Sequence, residues 1–290
     1  MKKYLNIIVV FFVLACQQKS NNLVEKYAFP KSLKEVSGLI TLQNSDLMAC
    51  IEDSGNKNEI YLLDSNGEIK NTIKINEVKN NDWEDITKDV KGNLYIGDFG
   101  NNENERKNLA IYKIDKDQLS SAKTKPTAII QFAYPEQTDF PPKKKNRIFD
   151  VEGFVFFKNN FYLFTKNRSS KFDGTAFIYK VPNVAGKHLA QKVGEFKTGP
   201  NYQNYVITSA AISPDQNKLA ILTHSKIIVF ENFKDDNFLS GKKTEIDLQH
   251  FSQKEAICFK DNTTIFIADE KVKKSGGKLY VFKMQTPVQN

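Results

Sequence analysis

The densest group of residues able to do chemistry lies between positions 81 and 106. Asn81-Asp82-Trp83-Glu84-Asp85-Ile86 is followed by Gly97-Asp98-Phe99-Gly100-Asn101-Asn102, with Arg106 beyond. Gly97 and Gly100 permit tight turning, and the Asp and Asn side chains either cap such a turn or present oxygen ligands. Similar residues recur elsewhere. Glu35, Glu152 and Glu255 sit at the start of apolar segments, while Asp53, Asn56, Lys166, Arg168, His224, Asp269 and Glu270 follow such segments. Carboxylates and amides suit a hard cation such as Ca²⁺ rather than zinc or copper. The expected metal ligands are therefore Glu35, Glu84, Asp85, Asp98, Glu152, Glu255 and Asp269. Trp83, Asn101, Asn102, Lys166 and Arg168 are the expected ligand-binding residues. Like charges brought together must be neutralised by protons, by Lys166 and Arg168, or by a cation. Two other readings stay open: the carboxylates accept backbone N–H groups and lock the fold, and Trp83, the only tryptophan, belongs to the core.

Catalysis would require a proton carrier beside the cation. His188 lies in a linker and His250 precedes the last repeat, which leaves Glu152 and His224 as the candidate catalytic residues. The chain has no G-x-S-x-G elbow, no HExxH and no phosphate-cradling glycine loop. Binding of a cation and a ligand or partner is the favoured reading. A calcium-dependent hydrolase of esters, lactones or phosphate esters is the alternative.

The elements that must carry these residues are strands. Short segments rich in Ile, Val, Phe and Tyr alternate with Asn-, Asp-, Gly- and Lys-rich turns, and no stretch holds a helical period. A polar, small, apolar triplet opens a strand repeatedly: Ser37-Gly38-Leu39, Glu84-Asp85-Ile86, Glu152-Gly153-Phe154, Ala210-Ala211-Ile212 and Glu255-Ala256-Ile257. Asp85 alone is not small in second place, and Ala210 alone is not polar in first. Each triplet is followed by a second strand, such as Leu94 to Asp98 or Phe161 to Thr165, and by a third, such as Ala110 to Ile114 or Phe177 to Val181. This repeated order predicts an all-β fold, a β-propeller of five blades. The last repeat lacks an outer strand, and Leu23 to Phe29 is a spare one, so the N-terminal strand should close the ring. A six-bladed ring, with a degenerate blade between Pro126 and Pro142, is the alternative. In a propeller, strand openings and second-to-third loops meet at one end of the central channel, which would gather the acidic residues at a single mouth.

The N-terminus is of another kind. Lys2-Lys3 precedes an apolar run from Leu5 to Ala15 that ends at Cys16. This is the pattern of a signal peptide, too short to span a membrane. Val13-Leu14-Ala15-Cys16 resembles the lipobox of bacterial lipoproteins, which implies cleavage after residue 15, lipid on Cys16 and a polar tether over 16–22. One propeller domain over 23–285 would follow. The expected location is the bacterial cell envelope outside the cytoplasm, at the outer membrane or cell surface. The expected partners are that membrane and a small molecule or envelope protein. The net charge of +8 is spread along the chain apart from Lys143-Lys144-Lys145, and an exported protein seldom meets nucleic acid, so nucleic acid is not expected; a monomer is expected. Cys50 and Cys258 lie in apolar runs and read as buried thiols, with a disulfide between them as the alternative.

Asp82 to Ile86, Gly97 to Asn102, Asp150-Val151-Glu152-Gly153 with Phe164-Thr165-Lys166, and Ser213-Pro214-Asp215 together resemble the marks of a family of bacterial β-propeller lipoproteins. The chain is more distantly similar to SdiA-regulated and esterase-like phytase propellers. The resemblance implies the propeller and the anchor. It supplies no catalytic residue.

Overall fold

A computed structural model describes residues 22–284. The expected signal peptide, Cys16 and all of the expected tether but Asn22 lie outside the described residues. Five sheets form a ring, each a four-stranded antiparallel blade beginning at the central channel, with Lys123–Thr124 and Gly186–Leu189 added in parallel at the outer edges of blades 1 and 2. Blade 1 contains Val36–Thr41, Met48–Glu52, Glu59–Leu63 and Ile69–Ile75; blade 2 contains Trp83–Lys88, Leu94–Asp98, Leu109–Ile114 and Ala128–Ala133. Blade 3 runs through Asp150–Phe157, Asn160–Lys166, Thr175–Pro182 and Gln191–Lys197, and blade 4 through Ile207–Ile212, Lys218–Thr223, Lys226–Glu231 and Lys242–Asp247. Blade 5 has Lys254–Phe259, Thr264–Asp269 and Lys278–Lys283, and its outer strand is Leu23–Ala28, paired antiparallel with Lys278–Lys283. The ring closes as the repeats predict. The six-bladed alternative fails because the stretch between Pro126 and Pro142 supplies Ala128–Ala133, the outer antiparallel strand of blade 2.

Burial follows the layer order. Asp150–Phe157 and Lys254–Phe259 are buried at every position, since neighbouring blades cover both faces, whereas outer strands such as Gln191–Lys197 alternate between exposed and half-buried. Aromatic side chains fill the space between blades: Phe99 meets Phe154 edge-on at 5.1 Å, and Tyr95 meets Phe161 at 4.9 Å. Cys50 and Cys258 are buried free thiols, so the disulfide alternative does not hold.

One irregularity recurs in all five inner strands. Pairing with the second strand skips Ser37, Glu84, Glu152, Thr208 and Glu255. Each is a β-bulge, which bends the strand and re-aims its extra side chain. The fourth repeat is thus Thr208-Ser209-Ala210, two residues before the triplet expected from sequence. The residue after each bulge lies where inner strands crowd together. A Cβ on Gly38 would come within 2.8 Å of the Ile86 nitrogen, and one on Gly153 within 2.5 Å of the Ala210 nitrogen.

Candidate functional site

The bulges of blades 2 and 3 build the acidic centre. Glu84 and Glu152 bring carboxylate oxygens to within 4.8 Å of each other and of an oxygen of Asp150. Asp150 comes from the opening of the blade 3 inner strand and is fully buried. Its Oδ1 accepts the Asn101 N–H at 2.6 Å, and its Oδ2 accepts Arg168 Nε at 2.6 Å. Arg168 also donates to Glu152 Oε1 at 2.8 Å and to Asn102 Oδ1. Lys166 Nζ lies 3.1 Å from the same Glu152 oxygen.

Two cations therefore answer Asp150 and Glu152. Glu84 has no such answer. It is only 8% exposed, and none of the hydrogen bonds or ion pairs among the described residues engages its carboxylate. Burial, then the negative charge of Glu152, pushes its pKa well above the ordinary carboxylate range. Burial and Glu152 raise Asp150 as well, with Arg168 opposing. Against the burial that would discharge it, Glu152 and Glu255 hold the Lys166 ammonium above its usual range. Space for the Glu84 carboxylate comes from Gly100, whose missing Cβ would stand 2.0 Å from Glu84 Oε1 and 2.4 Å from Asp82 Oδ2. Asp82 is itself 9% exposed, with its carboxyl raised chiefly by burial.

Other residues expected at the mouth do different work. Asp85 is wholly buried and accepts hydrogen bonds from the N–H groups of Ile86, Phe154 and Ala210 and from Ser209 Oγ. Asp98 accepts from Asn81, the Asp82 N–H, Tyr112 and Arg106, the last at 2.7 Å. Asp269 accepts the Lys278 N–H at 2.9 Å and Tyr280 Oη at 3.0 Å. These three act as locks between strands, and none belongs to the group formed by Glu84, Asp150 and Glu152. Trp83 is 0% exposed and its Nε1 donates to the Lys79 carbonyl, so it is a core residue with no face for a ligand. Asn101 is equally committed: Nδ2 donates to the Phe149 carbonyl and Oδ1 accepts the Arg106 N–H.

A second acidic group spans blades 1 and 5. Glu35 is exposed and takes Asn56 Nδ2 at 2.7 Å. Burial, then Glu35 and Asp82, raises the Asp53 carboxyl to about 7; burial, then Glu255 and Asp53, raises Glu270 to about 8. Glu255 faces His224, whose Nε2 is 3.6 Å from its Oε1. His224 Nδ1 lies 3.0 Å from the Gln203 carbonyl. A neutral ring in that position donates from Nδ1 and leaves Nε2 an acceptor, and this Nε2 is buried without a hydrogen-bond partner.

No family profile and no curated relative matches the chain. Solved structures that share its general shape include the following three. A chain of a nidogen/laminin complex superposes with a TM-score of 0.48 at 11% identity, covering 81% of this chain and 72% of that one. A gluconolactonase from Xanthomonas campestris gives 0.48 at 10%, covering 86% and 72%. A catalytically inactive virginiamycin B lyase from Staphylococcus aureus, with quinupristin, gives 0.42 at 16%, covering 86% and 66%. Likenesses this distant carry no activity across. The fold rests on the chain's own sheet topology.

The expected ligand set omits Asp82 and Asp150, although both stand in the motifs read from sequence, and the expected fourth repeat omits Thr208. Asp150 stands two residues before Glu152, and equal spacing joins Asp82 to Glu84. That repeated acid-x-Glu at a strand opening was the available signal.

Proposed function

We propose that this chain is a lipid-anchored protein of the bacterial cell envelope, held outside the cytoplasm by lipid on Cys16. We further propose that its acidic channel mouth binds a divalent cation and, with it, a small molecule or envelope protein. The observation that carries the site is Glu84: a buried carboxylate without a donor, beside Asp150 and Glu152. With Lys166 and Arg168 paired to those two, Glu84 has no ion pair of its own among the described residues, and burial beside Glu152 favours its protonated form until a cation takes the proton's place. The donors are all oxygen, which fits Ca²⁺ and suits zinc or copper poorly. Glu84, Asp150 and Glu152 would hold the ion, and Arg168 would orient the two blade 3 carboxylates toward it.

Ca²⁺ should raise the thermal midpoint of the wild-type domain by several degrees, because it binds the folded state alone. The Glu84→Gln/Glu152→Gln protein should not respond. A wild-type midpoint indifferent to Ca²⁺ would sink the site. The anchor is tested by Cys16→Ser, which should release the protein from membranes; continued lipid labelling would contradict it.

A second reading, hydrolysis of esters, lactones or phosphate esters, is favoured by the free Nε2 of His224 beside Glu255. A bound cation would polarise the substrate carbonyl or phosphoryl oxygen. His224 would take, at Nε2, a proton from the water that adds to that carbonyl carbon or phosphorus and return it to the leaving alkoxide. Turnover of aryl esters or lactones that is lost on His224→Gln, with the fold intact, supports this reading. A panel without turnover leaves binding as the function.

A further inference from the structure

The central channel has a second end, of opposite character. Where the inner strands finish, a cavity of about 290 Å³ has an apolar wall of Ile40, Ile86, Phe156, Ala210, Ile257 and Phe259 and a polar one that includes Lys88, Asp89, Gln43 and Ser213. It arises from two departures in the repeat. Counting from each bulge, Ala210 stands where the other blades place Leu39, Ile86, Phe154 and Ile257, so blade 4 leaves space unfilled. Two residues further along, Lys88 stands where the others place Thr41, Phe156, Ile212 and Phe259. The first departure makes the cavity. The second puts a cation in it.

Lys88 forms no ion pair among the described residues, although Asp89 lines the same cavity. Its Nζ donates to the Thr41 carbonyl at 2.5 Å and lies 3.1 Å from Thr41 Oγ1. The nearest acid along the chain, Asp89, is spent on its own turn, accepting the N–H groups of Lys91 and Asn93, Asn93 Nδ2 and Tyr95 Oη. The deep acid of the channel, Asp85, is enclosed by its four donors. Burial lowers the Lys88 pKa, as expected of a cation without a counter-charge.

A cavity with one apolar wall and an ammonium held only by neutral oxygens is complementary to an aliphatic tail ending in an anion. We infer that this end of the channel binds a small amphiphilic carboxylate, its chain against Ile86, Phe156 and Ile257 and its carboxylate on Lys88. At about 30 Å³ for a water-sized group, the cavity has room for roughly ten heavy atoms, the size of octanoate. None of these residues belongs to the acidic mouth, so the inference does not depend on the cation site.

Titration calorimetry on the full chain, with sodium octanoate and octan-1-ol as probes, tests it. Wild type should bind octanoate roughly tenfold more tightly than the alcohol, the scale of one charge-assisted contact. Lys88→Met should erase that preference, Ala210→Leu should abolish binding of both, and Glu84→Gln/Glu152→Gln should leave both unchanged. Absence of octanoate binding to wild type overturns the inference. So does undiminished octanoate affinity in Lys88→Met, a variant whose change at the cavity wall leaves the inner-strand backbone pairing intact.

Discussion

Asp85 Oδ2 lies 3.2 Å from the Oγ of Ser209, two blades away and 124 residues along the chain. Both occupy the position after the bulge, where the other blades have Gly38, Gly153 and Ala256. That position is small because the inner strands converge there, and one side chain of moderate size suffices to span the gap. Asp85 supplies it, collecting the N–H groups of Phe154 and Ala210, while Ser209 Oγ accepts the Ile257 N–H at 3.3 Å. One acid thereby ties blade 2 to blades 3 and 4, and its serine partner ties in blade 5.

Removing this tie should cost more than any surface change. Asp85→Ala would leave several buried donors unpaired at about 1–3 kcal/mol each, so a loss of at least about 3 kcal/mol is expected in denaturant unfolding. Asp85→Asn keeps the shape but turns an amide NH₂ toward N–H groups, and should fall between the two. A Asp85→Ala protein as stable as wild type would show that the tie is incidental.

How much of this was legible beforehand follows from the period of the repeat. The strand order, the ring and its closure by Leu23–Ala28 were readable because each is written several times, or by its conspicuous absence from blade 5. The division of labour among the acids was not. Glu84 and Asp85 are adjacent and chemically alike, yet a bulge turns one toward the channel mouth and buries the other among donors. A bulge is set by pairing geometry, and no residue type marks it reliably. Thr208 shows the same limit: apolar pattern matching placed the fourth repeat on Ala210, because Thr208 and Ser209 carry no charge to announce the turn.

The acids of blades 1 and 5 predict a pH dependence. Asp53 and Glu270 hold protons more tightly when folded, to about 7 and about 8, than in the unfolded chain, where they titrate near 3.9 and 4.3. Their contribution to stability is full below about pH 4 and is lost as pH rises through those folded values. The thermal midpoint should therefore fall between pH 5 and pH 8.5, and Asp53→Asn/Glu270→Gln should flatten the fall. An equal fall in the variant would assign the dependence to other groups.

Ring closure makes the N-terminal strand indispensable in a way its exposed residues do not suggest. Leu23–Ala28 has one buried position, Leu23, but it covers the edge of Lys278–Lys283. A chain beginning at Phe29 would present that edge as a template for pairing with another molecule. Size-exclusion chromatography should show aggregates, and calorimetry a lower, less cooperative transition. A monomeric, cooperatively melting product would mean that the ring holds without its closing strand.

The sharpest probe of the acidic centre is a residue with no functional group. Gly100 has a Cβ position 2.0 Å from Glu84 Oε1 and 2.4 Å from the Cγ of Asp82. Both neighbours are ends of side chains, so Gly100→Ala should displace them without moving a strand, at a cost of about 1–3 kcal/mol in the absence of metal. The Glu84 carboxylate, however, would leave its place beside Asp150 and Glu152, and the rise in thermal midpoint with Ca²⁺ should largely disappear. Retention of the full Ca²⁺ response in Gly100→Ala would place any cation elsewhere on the rim. Loss of the response with the fold preserved would tie binding to the position of Glu84 itself, which substitution of the ligands alone cannot separate from loss of charge.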